Sequence, residues 1–361
     1  MIKYLDLKAI NKPYEHAADE VLRSGWYLRG ECTRMFERHY AEYIGTKHCL
    51  GCANGLDALT LILRAYKEMG VMRNGDEVIV PANTYIASIL AITENNLTPV
   101  LVEPDINTLQ IDDTLIEQAV TQNTRAIMIV HLYGRCAYTD RVGEICRRHG
   151  LCLIEDNAQG HGCTFGERRT GALGHAAAHS FYPTNNLGAF GDAGAVTTDD
   201  DKLATLIRTL GNYGSARHYV FDYQGRNSRI DELQAAILDA KLSDLDSANQ
   251  RRKQIAAIYY NKVRNPEVRL PRCSRDNVYH IFPVFCASRD KLREFLLAGG
   301  IETEIHYPIP PHHQRCYREW NSRSLPLTEQ ICREELSLPC NEAMTDEEAL
   351  QVVEALNAFI P

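Results

Sequence analysis

HSFYPTNNLGAFGDAGAVTTDD, residues 179–200, reads as a strand, a glycine-punctuated loop and a second strand. Outward from it, short apolar runs alternate with helical patterns. EVIVP (77–81), TPVLVE (98–103), RAIMIVHLYG (125–134) and LCLIED (151–156) have the length and composition of buried strands. Leu56 to Tyr66, Ile86 to Glu94 and Thr139 to His149 carry helical periodicity between them. Near-continuous apolar strands separated by helices predict an α/β fold, its sheet mainly parallel and covered on both faces.

Two more helices are expected ahead of this region, over Pro13 to Ser24 and Thr33 to Ile44. Beyond it the pattern is helical from Asp231 to about Val263, with Leu233, Ile237, Ala240 and Leu245 on one face. This helix is read as joining two domains, a large one over residues 1–240 and a smaller α+β one over 241–361. The second should hold a strand at VYHIFPVFC (278–286), a helix from Ser288 to Ala298 with Ser288 as N-cap, and a closing helix from Asp346 to Phe359.

The 361 residues are 45% hydrophobic, enough for a large core. A net charge of -8 argues against a nucleic-acid or acidic-membrane partner, which would favour a basic surface. No apolar run reaches the roughly 18 residues of a membrane span, and MIKYLDLKAINKPY lacks a secretory pattern, so a cytoplasmic protein is expected. The 12 cysteines are scattered, and the Cys49/Cys52 pair lacks the second pair that a zinc site requires.

Two segments point to ligand chemistry. Asn54-Gly55-Leu56 opens a helix after an apolar run, which presents unpaired N–H groups suited to a phosphate, although such turns also open many helices without ligands. Glu155 and Asp156 end an apolar strand, at the edge where open α/β sheets bind ligands. A carboxylate there can keep a pyridine nitrogen protonated, or merely cap the next loop. Gln159 follows one turn later, within reach of a ring hydroxyl.

With these residues in place, residues 180–195 resemble the S-F-[FY]-P-x-K-N-L-G-x-x-G-D-x-G-A motif of the DegT/DnrJ/EryC1/StrS sugar aminotransferases. The resemblance extends through SGWYLRG (24–30), GDEVIVPANTYIAS (75–88), HLYG (131–134), GRNSRIDELQAA (225–236), EIHYPIPPH (304–312) and LSLP (336–339). It implies the aspartate-aminotransferase fold and pyridoxal 5'-phosphate or pyridoxamine 5'-phosphate as cofactor. It further implies L-glutamate-dependent amination of a nucleotide-linked keto sugar and a homodimer with shared active sites. Carried over by position, Asp156 pairs with the pyridine nitrogen, Gln159 meets the cofactor oxygen, and Tyr85 stacks on the ring. Gly55, Leu56 and Ser180 seat the phosphate, and Asn227 reaches the phosphate in the neighbouring subunit. Trp26, Tyr27, Tyr182, His306 and Tyr307 line the sugar pocket, with a core role for Trp26 equally open. The wording of NGLDALTLIL (54–63) and NTYIAS (83–88) is most similar to the branch that aminates C3 of dTDP-linked 6-deoxy-3-ketohexoses, while relatives acting on C4 ketones share most of the motifs.

One position departs. Asn185 stands where the family's lysine holds the cofactor covalently and moves a proton during the reaction. A side-chain amide is neither nucleophile nor base near neutral pH. Three readings are open: a disabled copy that traps cofactor or substrate, divergence toward the family's dehydratases, which carry histidine there, or a non-catalytic pseudoenzyme. The intact pattern around Asn185 favours the first, since a long-decayed site would have lost it. Lys202 and Lys241 read as solvated helix residues, so neither replaces the missing lysine. Arg229 either meets phosphate or pairs with Asp231. His131 and His161 are read as packing residues, and the prolines among His306, His312 and His313 deny them the helical spacing of metal ligands.

Overall fold

The computed structural model describes residues 1–361. The chain enters through helices α1 (Leu7–Asn11), α2 (Glu15–Ser24) and α3 (Glu31–Ile44). Strands β1 (His48–Cys52), β2 (Glu77–Pro81), β3 (Thr98–Val102), β4 (Thr124–Val130) and β5 (Cys152–Asp156) follow, then a small hairpin of β6 (Thr164–Phe165) and β7 (Arg168–Arg169). After β8 (Ala176–Ser180) and β9 (Gly194–Thr198) the large sheet is complete, in the order β1-β9-β8-β5-β4-β2-β3. Pairing is parallel from β8 through β5, β4 and β2 to β3; β9 runs antiparallel between β8 and β1. The expected mostly parallel sheet is therefore present, with its one reversal at the 179–200 stretch.

Helices α4 (Gly55–Glu68), α5 (Ile86–Glu94), α6 (Asp113–Ile116), α7 (Asp140–His149) and α8 (Asp201–Leu210) cover the sheet. The period-two alternation of the strands sorts their side chains between two faces. Val78, Val80, Met128 and Ile154 pack with Leu59, Ile62 and Leu63 of α4, and the small Ala176 and Ala178 let that helix approach closely. The intervening Ile79, Ile127, Ile129 and Leu153 face the other way, onto Val142, Ile145 and Cys146 of α7. Each fully buried Leu or Ile contributes roughly 1.5–3 kcal/mol, so both layers hold the strand ends in register. Thr139 caps α7 by accepting from Val142 N, and Asn54 caps α4 by accepting from Asp57 N at 2.8 Å.

Where one helix was expected from Asp231 to Val263 there are two, α9 (Glu232–Leu242) and α10 (Leu245–Lys262), broken at Ser243-Asp244. The break redirects the chain: Leu238 and Leu245 pack with Phe36 and Phe181, whereas Ile255, Ala256 and Tyr259 enter a separate C-terminal core. That core also holds strands β10 (Phe282–Phe285) and β11 (Glu335–Leu338), an antiparallel pair, and helices α11 (Arg289–Ala298) and α13 (Asp346–Ala358). Helix α12 (Pro326–Glu334) precedes β11.

Two expected strands are shorter than read. β4 stops at Val130 because His131 to Gly134 turns, with Tyr133 at φ 62° and Gly134 at φ 88°. A β-carbon on Gly134 would lie 2.8 Å from His280 N, so the turn packs directly on the following segment. For the same reason residues 278–281 join that turn, through Val278 N to Gly134 O at 2.9 Å, and only 282–285 pair as a strand. Ser288 does precede α11 but makes no side-chain capping bond. Cys49 and Cys52 are buried in β1, and all twelve cysteines are free thiols.

Candidate active site

The carboxyl ends of the central strands and the start of α4 surround a cavity of about 510 Å3. Ten of the residues singled out in the sequence line it: Gly55, Leu56, Tyr85, Asp156, Gln159, Ser180, Tyr182, Asn185, His306 and Tyr307. Strand β5 delivers Asp156 to its floor, buried, where Oδ2 accepts from Ser88 Oγ at 2.7 Å and Oδ1 from Ala158 N at 3.2 Å. Burial pushes its pKa upward, and the Ser88 bond opposes the shift. Glu155 points to the other side, taking N–H bonds from Gly171, Leu173 and Gly174 and pairing with buried His131. One of the two strand-end acids is thus structural and the other faces the ligand space.

At the opposite end of the cavity, Gly55 starts α4 against Ser180. A β-carbon on Gly55 would stand 2.5 Å from Ser180 Cβ. Only glycine lets the first turn of the helix, with its unpaired N–H groups, adjoin the serine hydroxyl. Between these ends Tyr85 is about half exposed, its ring 5.3 Å from that of Tyr307. Gln159 is held from both sides: its Oε1 accepts from Tyr133 N at 2.6 Å and its Nε2 donates to Tyr307 Oη at 3.1 Å.

Asn185 sits in this space with its amide already engaged. Nδ2 donates to Ser180 O at 2.7 Å, and the backbone N–H of Asn185 closes a turn on Tyr182 O at 2.9 Å. His161 Nε2 lies 2.8 Å from the same Ser180 carbonyl, while its Nδ1 and that of His179 both meet Tyr40 Oη. His161 is buried and pushed down to about 4, so it is a neutral strut beneath the loop, as is His179.

Lys241 overturns its reading as a solvated residue. It is buried, and Nζ donates to Gly188 O at 2.7 Å and Asn11 Oδ1 at 2.9 Å. It therefore ties α9 to the loop that carries position 185. Burial pushes its pKa down to about 8. A lysine depressed on folding binds its proton less tightly in the native state, so stability rises with pH from about 8 toward the unfolded value near 10.5. Lys241→Met is expected to cost about 1–3 kcal/mol at neutral pH by orphaning the Gly188 carbonyl. Urea unfolding of the two proteins should show the gap change above pH 8; a gap independent of pH would contradict the buried charge.

Three sequence candidates lie elsewhere. Trp26 is 65% exposed and Tyr27 53% exposed, so Trp26 is not a core residue and neither lines the cavity within one chain. Asn227 is exposed and bridges to Asn212, on a face that also exposes Tyr213, Tyr219 and Phe221. Arg229 does not pair with Asp231; Nη1 reaches Asn212 Oδ1 at 3.4 Å and the guanidinium lies over Tyr213. His312 and His313 meet Glu329 within 4.8 Å, apart from His306, and Glu329 also accepts from Leu325 N at the start of α12. Sequence reading passed over Ser88, His280 and the Glu335–Ser337 pair behind His306.

The residues fit a pyridoxal-type cofactor: a buried carboxylate at one end, a glycine-opened helix and serine at the other, a tyrosine alongside. These features on this sheet define a pyridoxal-phosphate enzyme of the aspartate-aminotransferase fold type. Residues 8–357 match the model of the DegT/DnrJ/EryC1/StrS aminotransferase family, and the chain belongs to it. The aminotransferases of this family use pyridoxal or pyridoxamine phosphate. The chain is 51% identical to dTDP-3-amino-3,6-dideoxy-alpha-D-galactopyranose transaminase of Aneurinibacillus thermoaerophilus, over 99% of each chain. It is 44% identical to dTDP-3-amino-3,4,6-trideoxy-alpha-D-glucose transaminase of Streptomyces venezuelae, over 99% of this chain and 96% of the relative. The crystal structure of S. venezuelae DesV in complex with a ketimine intermediate superposes with a TM-score of 0.94 at 43% identity, covering 99% of this chain and 97% of that one. No helix is long and apolar enough to cross a membrane.

Proposed function

We propose that this chain carries the site of an L-glutamate-dependent aminotransferase for C3 of a dTDP-linked 6-deoxy-3-ketohexose, and that Asn185 leaves it able to hold ligands but not to turn them over. The observation that carries the reading is the placement of Asn185 in the cavity with Asp156 and Ser180, its amide tied to the Ser180 carbonyl. Two of the relatives named above act on 3-amino sugars linked to dTDP, which supports the choice of carbon and nucleotide. Asp156 would hold the cofactor's ring nitrogen, Gly55, Leu56 and Ser180 its phosphate, and Tyr85 and Gln159 its ring. The cofactor supplies an electron sink for the carbon that exchanges its proton; the chain must supply the base that moves that proton, and an amide cannot.

Exposed Asn227, beside Tyr213, Tyr219 and Phe221, supports a homodimer in which this face completes the neighbour's phosphate site. Tyr182, His306 and Tyr307 would meet the sugar, and Trp26 and Tyr27, exposed outside this chain's cavity, would join only across the dimer.

The reading predicts bound but non-covalent cofactor. Protein loaded with pyridoxal phosphate, reduced with borohydride and weighed intact should show the unmodified chain mass. A stable pyridoxyl adduct on any residue would overturn the proposal.

A further inference from the structure

The cavity wall at His306 and Tyr307 rests on β11, and behind it lies a buried acid without an assigned task. Glu335 is fully buried; its Oε2 accepts from His306 N at 2.7 Å and its Oε1 from Ser337 Oγ. Ser337 Oγ in turn lies 2.8 Å from His306 Nδ1. The far nitrogen of His306, Nε2, has no partner within the protein and is not a buried orphan, so it is open to the cavity that His306 lines.

Hydrogen-bond direction along this chain is constrained. An ionised Glu335 only accepts, so Ser337 donates to it and accepts from His306 Nδ1–H, and Nε2 shows a lone pair. A protonated Glu335 still takes the His306 backbone N–H on Oε2 and carries its proton on Oε1. Ser337 then accepts from Oε1 and donates to Nδ1, and Nε2 carries a proton. The two arrangements differ by one proton, that of Glu335.

We propose that Glu335, acting through Ser337, sets the tautomer of His306 and thereby whether the cavity offers a bound sugar an N–H donor or a lone pair. Glu335 and Ser337 are positioning residues, and His306 is the group that meets the ligand. Burial pushes Glu335 up to about 8 and His306 down to about 4, so near neutral pH the donor form faces the cavity and imidazolium does not form. The surrounding groups do not titrate across this window: Tyr4, Tyr133, Tyr307 and Cys332 are pushed up by burial and His280 is pushed down. Arg289, bonded to the backbone oxygen of Glu335 at 3.1 Å, opposes part of the rise. The next step rests on the keto-sugar reading. A keto oxygen only accepts, so the Nε2–H form matches it and polarises the C=O group.

Nitrogen-15 NMR of histidine-labelled protein reads the tautomer directly, with His306→Gln to assign the signal. Between about pH 6.5 and 9.5 the wild-type proton should move from Nε2 to Nδ1, with a midpoint about 8. Glu335→Gln, whose amide donates permanently to Ser337, should hold the proton on Nε2 throughout; Ser337→Ala should abolish the midpoint without enlarging the site. A wild-type signal unmoved by pH, or one that moves equally in Glu335→Gln, overturns the relay. Equilibrium binding of a dTDP-linked 3-keto sugar forms the second arm. It should weaken about tenfold per pH unit above the midpoint in wild type and stay level in Glu335→Gln. A tautomer switch without any keto-sugar binding would uphold the relay and overturn the substrate reading. Binding without the switch would overturn the relay alone.

Discussion

Asn185→Lys should convert a protein that holds its cofactor without a bond into one that bonds it at residue 185 and turns over. Borohydride reduction of the variant is expected to add a pyridoxyl group at position 185 alone, and glutamate-dependent amination of a keto-sugar nucleotide should appear above the background of the parent. The proton-transfer contribution is on the order of 10^2 to 10^4-fold, with covalent anchoring adding to it. The structure shows why the exchange is tolerable. The Ser180 carbonyl that loses the Asn185 amide keeps its bond to His161 Nε2 at 2.8 Å, so no buried acceptor is orphaned. The backbone bond from residue 185 to Tyr182 O does not depend on the side chain. Unfolding free energy should therefore change by less than about 1 kcal/mol. Asn185→Gln, an amide of greater reach, should gain neither adduct nor activity. A lysine variant that forms the adduct yet aminates nothing in a panel of C3 and C4 keto sugars would show a ligand-binding protein rather than a disabled enzyme.

Most of what makes this site was legible because it is local. The strand ends that carry Asp156 and the turn that opens α4 lie within short apolar patterns, and Asn185 sits in an ordered motif where one substitution is conspicuous. What escaped depends on partners far along the chain. Lys241 reads as solvated because its own helix gives no hint that Gly188, 53 residues earlier, brings it a carbonyl. The turn at His131–Gly134 continues an apolar run and is broken only by its packing on residues 278–281. Glu335 would pass for a surface acid were it not for the strand pairing that buries it behind His306. Trp26, Tyr27 and Asn227 mark the opposite limit, since a single chain leaves all three exposed.

Asp156→Asn separates stability from function at one atom pair. In the cofactor-free protein Asp156 is a buried carboxylate served by Ser88 Oγ, Ala158 N and a weaker pull from His131, and burial outweighs all three, so its pKa is raised. An amide keeps the size and one acceptor and removes the charge, so the cofactor-free variant should be no less stable at neutral pH. The sign with pH follows from the raised native value. On acidification the native carboxyl takes its proton before the unfolded one, so wild type gains stability relative to the variant as pH falls toward the ordinary carboxylate range. Cofactor reverses the comparison, because a protonated ring nitrogen gives the carboxylate its missing partner. Truncating one side of such a buried charge pair costs about 2–5 kcal/mol, so the variant should bind pyridoxal phosphate roughly 30-fold to several thousand-fold more weakly, and in the Asn185→Lys background should lose most of the regained activity. Thermal melts with and without cofactor across acid to neutral pH, paired with absorbance titration of pyridoxal phosphate, measure both effects. Unchanged cofactor affinity would remove Asp156 from the ring nitrogen and leave it a loop acid, the alternative its place at the end of β5 also allows.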